Sequence, residues 1–406
     1  MSISKIVKGG VCSAKGFRAA GVGAEIKYKN RKDVALIVAD QPCVAAAVFT
    51  TNRVAAAPVL YDREIMKGGK VQAILANSGC ANACTGEAGL ADARLAALVT
   101  AGELKIDPRH VLVASTGVIG RRLPMVHLLN GMRQAAQELG ADDAHGLAAE
   151  QAVMTTDTKP KQACARVKIG GRTVTVGGMS KGSGMIEPNM ATMLGFITTD
   201  VAISRAMLNR AVKLALAVSF NRVVVDGDES TNDSLFVLAS GAAGNAPIAS
   251  AGEDFNCFLD ALKSVMISLA KQMAADGEGA TKFVTVTVKG AKTAKDAERA
   301  ARAIAKSPLA KTSWFGRDPN WGRVLAAVGY SGAAVEDLKT EVFYGKTWAF
   351  RRGKVADAAQ LEKLAKELAG EAFTVTVDLH LGEGEATIYT CDFSLDYVHI
   401  NADYTT

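Results

Sequence analysis

Gly184-Met185-Ile186-Glu187-Pro188-Asn189-Met190-Ala191-Thr192-Met193-Leu194, near the middle of the chain, sets a small residue immediately before a threonine. A glycine-rich approach, Gly177-Gly178-Met179-Ser180-Lys181-Gly182-Ser183-Gly184, leads into it. The apolar run Leu194-Gly195-Phe196-Ile197 that follows reads as a buried strand. Taken alone, the stretch admits two readings. Thr192 is either one β-branched strand residue among many, or a hydroxyl held at a loop-to-strand junction where it reacts. The rest of the chain has to decide.

Upstream, short strand-like runs alternate with turns: Ala24–Tyr28, Val34–Val38, Val44–Phe49 and Val71–Ala76. The last runs into a loop of small residues, Asn77-Ser78-Gly79-Cys80-Ala81-Asn82-Ala83-Cys84-Thr85-Gly86, and a helix is expected near Leu90–Leu104. Val111–Ser115 is an apolar strand that ends in Thr116-Gly117-Val118-Ile119-Gly120, a second candidate functional loop. Helices are expected near Met125–Leu139 and Ala144–Met154. The hydroxyl-rich turn Thr155-Thr156-Asp157-Thr158-Lys159-Pro160-Lys161 comes next, followed by strands near Ala163–Ile169 and Arg172–Gly177. Downstream, a helix near Arg205–Ser219 and a strand Arg222–Val225 precede Asp226-Gly227-Asp228-Glu229-Ser230-Thr231-Asn232-Asp233. That acidic turn is not an EF-hand, because Thr231 stands where the loop needs glycine and Val237 where it needs its last carboxylate.

The longest amphipathic helix is expected over Asp254–Ala275, with Phe255, Phe258, Leu259, Leu262, Val265, Met266, Leu269 and Met273 on one stripe that belongs to the core. It ends in Asp276-Gly277-Glu278-Gly279. A strand at Phe283–Val288 and a helix near Ala294–Lys306 follow, and the tail Tyr397–Thr406 carries aromatic and amide groups that suit docking rather than fraying. At 406 residues the chain holds two domains or one large layered body. The loop before Thr192 is the most natural boundary.

Composition narrows the class. The chain is 49% hydrophobic and 22% charged with few aromatics, the profile of a soluble globular enzyme. Net charge is +6, but the basic residues are spread along the chain, which gives nucleic-acid binding little support and favours small anionic substrates. Seven scattered cysteines, an odd number, fit a reduced cytoplasmic setting. Cys80 and Cys84 lack the partners of a zinc site. No apolar run is long enough to span a bilayer, and no secretory leader is expected.

A threonine hydroxyl is a poor nucleophile, and the five histidines (His110, His127, His145, His380, His399) offer no Ser-His-Asp arrangement. Another base is needed. Were the Ala191-Thr192 bond broken, the new α-amine, with an ordinary pKa of about 7.7 to 8.0, could serve as that base. The hydroxyl would attack the Ala191 carbonyl, shift the acyl group from N to O, and leave an ester for water to hydrolyse. The tetrahedral oxyanion then needs donors, and the Thr116 hydroxyl with the Gly117 N–H, just past a strand end, could converge on one oxygen. A plain strand-end turn is the competing reading there. Lys181 and Glu278 are the charges to assign to the α-carboxylate and the amine of a small amino-acid substrate, against solvated turn charges.

Taken together and in order, Asn77–Gly86, Ser115–Gly120, Met185–Leu194, Asp226–Asp233 and Asp318-Pro319-Asn320-Trp321-Gly322-Arg323 resemble the bifunctional ornithine acetyltransferase (glutamate N-acetyltransferase) family of arginine biosynthesis, over essentially the whole chain. The resemblance implies an α/β sandwich of mixed sheets flanked by helices, of the ornithine acetyltransferase and aminopeptidase type. It implies self-cleavage between Ala191 and Thr192 into an α chain, 1–191, and a β chain, 192–406, assembled as α2β2. Thr192 would take acetyl from N2-acetyl-L-ornithine and hand it to L-glutamate. Thr116 and Gly117 match the oxyanion pair, and Thr155, Lys181, Thr192, Glu278, Asn401 and Thr406 match substrate contacts. Thr156 and Thr158 are alternatives to Thr155. Cys80 departs from the asparagine of many relatives. No cofactor or metal is implied. Some relatives also accept acetyl-CoA, for which this sequence shows no adenine-nucleotide site. A related aminopeptidase or amidohydrolase, deacylated by water, is the rival.

Overall fold

The computed structural model describes residues 5–187 and 193–403. Two mixed sheets organise them. The first has nine strands in the order Lys5–Val7, Gln162–Ile169, Arg172–Lys181, Leu194–Thr199, Ser234–Ala239, Val34–Phe49, Lys70–Asn77, Val111–Ser115, with Phe17–Val22 paired along the first half of Val34–Phe49. Leu194–Thr199 runs antiparallel to Arg172–Lys181 and parallel to Ser234–Ala239, so the sheet has both hydrogen-bonding patterns at its centre. The second has seven strands, ordered Lys354–Val355, Thr347–Arg351, Glu341–Tyr344, Ala372–Asp378, Phe283–Ala291, Gly384–Cys391, Val223–Val224.

The period-two alternation of the strands decides where the helices pack. Leu36, Leu75 and Val113 are cross-strand neighbours on one face, and they join the core formed with helices Gly86–Leu104 and Met125–Gln137. The next residues in register, Ile37, Ile74 and Leu112, point the other way, into a core shared with helix Asp143–Val153. Helix Glu253–Ala275 buries the whole expected stripe, from Phe255 to Met273. Its core takes Ile197, Val174 and Val176 from the first sheet and Cys391 and Val223 from the edge of the second, so this helix ties the sheets together. The outer face of the second sheet carries its own core against Ala294–Lys306, Pro308–Phe315 and Trp321–Tyr330. Several helices start at a side-chain cap: Asp142, Ser204, Thr293 and Ser307 each accept from the backbone N–H three residues on.

Two local expectations change. Ala24–Tyr28 is not a strand. Both oxygens of the buried Asp33 carboxylate are taken by the N–H groups of Ala24 and Ile26, each at 2.6 Å, and Glu25 turns to φ +58°, so a side chain replaces the ladder partner. Val34–Val38 and Val44–Phe49 form one 16-residue strand, interrupted only by a register shift between Val38 and Cys43, where Asp40, Gln41 and Pro42 are exposed. The tail forms a helix, Leu395–Asp403, in which no residue is buried and which meets the body of the protein through Asn401 Nδ2, donating to Glu278 Oε2. Thr406 lies outside the described residues.

One buried acid is left for solution measurement. Asp62, fully buried, accepts from Val113 N at 3.0 Å while its Oδ2 has no partner among the described residues; burial pushes its pKa well above the ordinary value, against the relief given by Val113. A carboxyl raised in this way favours the fold below its ordinary pKa, and that contribution is lost as pH rises through the folded value. Asp62→Asn, which keeps the acceptor and removes the ionisation, is therefore expected to unfold at a higher temperature than the parent at pH 8. The gap should narrow as the pH is lowered toward the ordinary carboxylate range in a calorimetric series.

Candidate active site

The hairpin that carries the threonine has Arg172–Lys181 as one arm and Leu194–Thr199 as the other, with Lys181 opposite Leu194. Pro188 to Thr192, including Ala191 and the predicted nucleophile, lie outside the described residues. Both flanks of that stretch are pinned by the acidic turn after Val223–Val224. Asp226 accepts from Met185 N at 2.5 Å and Ile186 N at 2.7 Å, and Glu187 N donates to Asp228 O at 3.0 Å. On the other side, Ser234 N donates to Met193 O at 3.0 Å. Sequence reasoning rejected the turn as a calcium loop and kept it as a motif of the resemblance without giving it a role. Its carboxylates bind backbone N–H groups, and the signal for this was Asp226 directly after a short apolar strand.

The same turn reaches the second loop. Asn232 Nδ2 donates to Ala81 O at 2.6 Å and Ser115 O at 2.8 Å, joining the small-residue loop to the strand end that bears Thr116. Asn77 completes the join, since Ser115 Oγ donates to Asn77 Oδ1 at 2.7 Å and Asn77 Nδ2 to Cys80 O at 2.9 Å. Cys80 is buried, and its thiol donates to Arg121 O at 3.3 Å. Gly117 sits at φ +127°, and a Cβ added there would fall 2.5 Å from the Gly79 carbonyl carbon and 2.7 Å from Cys80 N. Only glycine fits so close to the neighbouring backbone.

Thr116 and Gly117 share one open cleft with Thr155, Thr156, Lys181, Gly184, Glu278 and Asn401. Lys181 Nζ donates to Thr116 Oγ1 at 3.4 Å. Glu278 is delivered by the end of helix Glu253–Ala275; its Oε1 accepts from Thr156 Oγ1 at 2.6 Å and its Oε2 from Asn401 Nδ2 at 2.8 Å. The three adjacent hydroxyls therefore differ. Thr155 lines the cleft, Thr156 lines it and reaches Glu278 and Ser183, and Thr158 hydrogen-bonds Asp276. Arg31 Nη2 holds the Met154 and Thr155 carbonyls at 2.6 and 2.7 Å.

Beneath the cleft lies a buried ion cluster that the sequence did not single out. Lys161 Nζ donates to Asp157 Oδ1 at 2.7 Å and to Asp276 Oδ2 at 2.5 Å, with the lysine and both carboxylates nearly inaccessible. Burial would strip the proton from Lys161, but Asp157 and Asp276 outweigh it and hold the ammonium above its ordinary pKa. Burial likewise opposes ionisation of Asp157, but Lys181 and Lys161 drive its pKa far below the carboxylate range. Lys181 itself is pulled down by burial, with Asp157 as the main opposing charge. Asp157 also accepts from Gly182 N at 2.7 Å and Thr155 N at 3.0 Å, which ties the hydroxyl-rich turn to the Lys181–Gly182 segment through one carboxylate.

A family model described as the ArgJ family matches residues 18–406. A protein of Symbiobacterium thermophilum named arginine biosynthesis bifunctional protein ArgJ is 51% identical over 400 residues, covering 98% of this chain and 99% of its own. One of the same name from Geobacter sulfurreducens is 49% identical over 394 residues, covering 97% and 100%. The crystal structure of the ArgJ protein from Bacillus halodurans is 44% identical where it aligns, over 47% of this chain and 98% of that one, with a TM-score of 0.45. The chain belongs to the ArgJ family.

Removing the cation from the buried cluster leaves two carboxylates facing one another out of water. Lys161→Met is expected to lower the unfolding free energy by about 3–5 kcal/mol. Urea titration followed by circular dichroism measures it.

Proposed function

We propose that the protein is an acetyltransferase of arginine biosynthesis that moves acetyl from N2-acetyl-L-ornithine to L-glutamate, releasing L-ornithine and N-acetyl-L-glutamate. The observation that carries this reading is the meeting of Thr116, Gly117, Lys181, Glu278 and Asn401 in one cleft, at the pinned arms of the hairpin that bears Thr192. Family membership supports it independently.

In this reading the chain breaks between Ala191 and Thr192. The Thr192 hydroxyl adds to the Ala191 carbonyl, the C–N bond breaks to free the Thr192 amine, and water hydrolyses the resulting ester. The two pieces, 1–191 and 192–406, stay together and assemble as α2β2. The Thr192 amine then takes the hydroxyl proton as Thr192 attacks the acetyl carbonyl of acetylornithine. The Thr116 hydroxyl and the Gly117 N–H stabilise the oxyanion. Lys181 faces the α-carboxylate, and Glu278, oriented by Thr156 and Asn401, faces the δ-amine of ornithine. Ornithine leaves with that proton, glutamate enters, and its amine takes the acetyl group. Thr155 and Thr406 complete the substrate contacts. The reaction needs no cofactor or metal, the setting is the cytoplasm, and acetyl-CoA is a further donor to be tested.

Three results follow. The purified parent is expected to show two masses, one of them that of 192–406, whereas Thr192→Ala gives a single intact chain without turnover; appreciable transfer by that variant would falsify the role of Thr192. Ornithine release from acetylornithine should depend on glutamate, and release that ignores glutamate makes the protein a hydrolase. Gly184→Ala places a Cβ 2.3 Å from the Glu278 carboxyl carbon, so Glu278 has to move. Losing a hydrogen bond to a charged group corresponds to roughly 1.5–3 kcal/mol. KM for acetylornithine is accordingly expected to rise by about ten- to a hundredfold in steady-state kinetics.

A further inference from the structure

None of the roles above uses Asp233, the last residue of the acidic turn. It is 3% exposed and directly precedes Ser234, the residue that opens the strand parallel to Leu194–Thr199. Its carboxyl accepts from the N–H of Met193 and is hydrogen-bonded by Ser230. Among the described residues its Oδ2 has no partner. A buried carboxyl oxygen left without a partner calls for an explanation. Burial pushes the Asp233 pKa well above the ordinary value, with the Met193 N–H and Lys181 pulling the other way and Glu229 adding to the rise. The group that holds Met193 is a buried carboxyl with one oxygen accepting and the other left without a partner among the described residues.

Met193 is bonded to Thr192. Fixing the Met193 N–H fixes the peptide plane that contains the Thr192 carbonyl and Cα, because the amide is planar. A group hydrogen-bonded to that N–H thus restrains the link through which the threonine joins the strand. Ser234 N binds Met193 O on the far side of the same residue, so the turn grips Met193 through both backbone polar groups.

We propose that Asp233 is the positioning residue of the threonine junction, clamping the Met193 amide so that the Thr192 hydroxyl meets the acyl carbon. The inference rests on the proposed role of Thr192 and deepens it. Asparagine keeps a carbonyl that accepts from Met193 in a side chain of the same shape, whereas alanine leaves the Met193 N–H without its acceptor.

Full-length Asp233→Ala and Asp233→Asn test it, with three readouts: self-cleavage by intact mass, kcat and KM separately, and hydrogen exchange at the Met193 amide. In Asp233→Ala, cleavage and kcat are expected to fall by about a hundredfold, the size of effect a misplaced reacting group produces, with KM little changed and Met193 exchange faster. Asp233→Asn should recover most of the lost rate and the protection. The proposal is overturned if the alanine variant cleaves and turns over like the parent. It is also overturned if asparagine is as impaired as alanine, or if kcat and KM deteriorate together with a collapsed unfolding transition in both variants. Met193 exchange does not depend on the chemistry. Loss of protection in Asp233→Ala alongside turnover by Thr192→Ala would therefore sink the nucleophile assignment and leave the clamp standing.

Discussion

Lys161 between Asp157 and Asp276 is the constraint on which the cleft depends. Three charges withdrawn from water carry a desolvation penalty of several kcal/mol each, which an ion pair offsets only when its geometry is good and the remaining lone pairs are satisfied. Here they are. Asp157 is completed by Gly182 N and Thr155 N, and Asp276 by the Thr158 hydroxyl and N–H. Every segment that meets in the cluster carries a cleft residue: Thr155 and Thr156 on the hydroxyl-rich turn, Lys181 next to Gly182, and Glu278 two residues beyond Asp276. The cluster is thus a joint. It holds together three segments that are far apart in sequence, and the negative charge of Asp157 also opposes the fall in the Lys181 pKa that burial causes.

A second joint serves the other half of the cleft and is built differently. The Asp226–Asp233 turn uses carboxyls and one amide to satisfy backbone groups at or beside four strand ends: Met185 and Ile186 on one side of the threonine stretch, Met193 on the other, and Ala81 with Ser115 beside Thr116. Backbone groups leaving a sheet must find partners or water. By supplying them from one rigid turn, the chain fixes the distance between the Thr116–Gly117 loop and the threonine hairpin. The close approach of Gly117 to Gly79 locks the same loop from behind.

What sequence patterns could reveal followed from periodicity. The Phe255-to-Met273 stripe and the Leu36, Leu75 and Val113 face were legible because burial alone explains them. Site chemistry pointed to Thr116, Gly117, Lys181 and Glu278, the resemblance added Asn401, and the fold brings all five to one cleft. Local pattern failed wherever a distant side chain intervened. Ala24-Glu25-Ile26-Lys27-Tyr28 alternates like a strand, and only Asp33 makes it a loop. Lys161, in Lys159-Pro160-Lys161, looks like a solvated turn lysine and is 1% exposed. Among Thr155, Thr156 and Thr158, adjacent hydroxyls in one turn, no sequence pattern tells which reaches Glu278; that depends on Asp276 taking Thr158 away.

The order of the first sheet bears on what a broken Ala191-Thr192 bond would leave behind. Leu194–Thr199 and Ser234–Ala239, both beyond residue 192, lie side by side at its centre. Arg172–Lys181 flanks them on one side and Val34–Phe49 on the other, both from before residue 191. The two central strands are therefore hydrogen-bonded into the first half of the chain along both edges. Helix Glu253–Ala275 adds an apolar seam by packing Phe258, Val265 and Met273 into a core that includes Val174 and Val176. Separating the halves would unpair two full ladders and expose that core, so a backbone break in the hairpin loop removes a tether without removing the forces that hold the sheet. Cutting at a loop between two interior strands is then compatible with a stable product, because register and burial, not the covalent link, keep Thr192's neighbours Met193 and Leu194 in place.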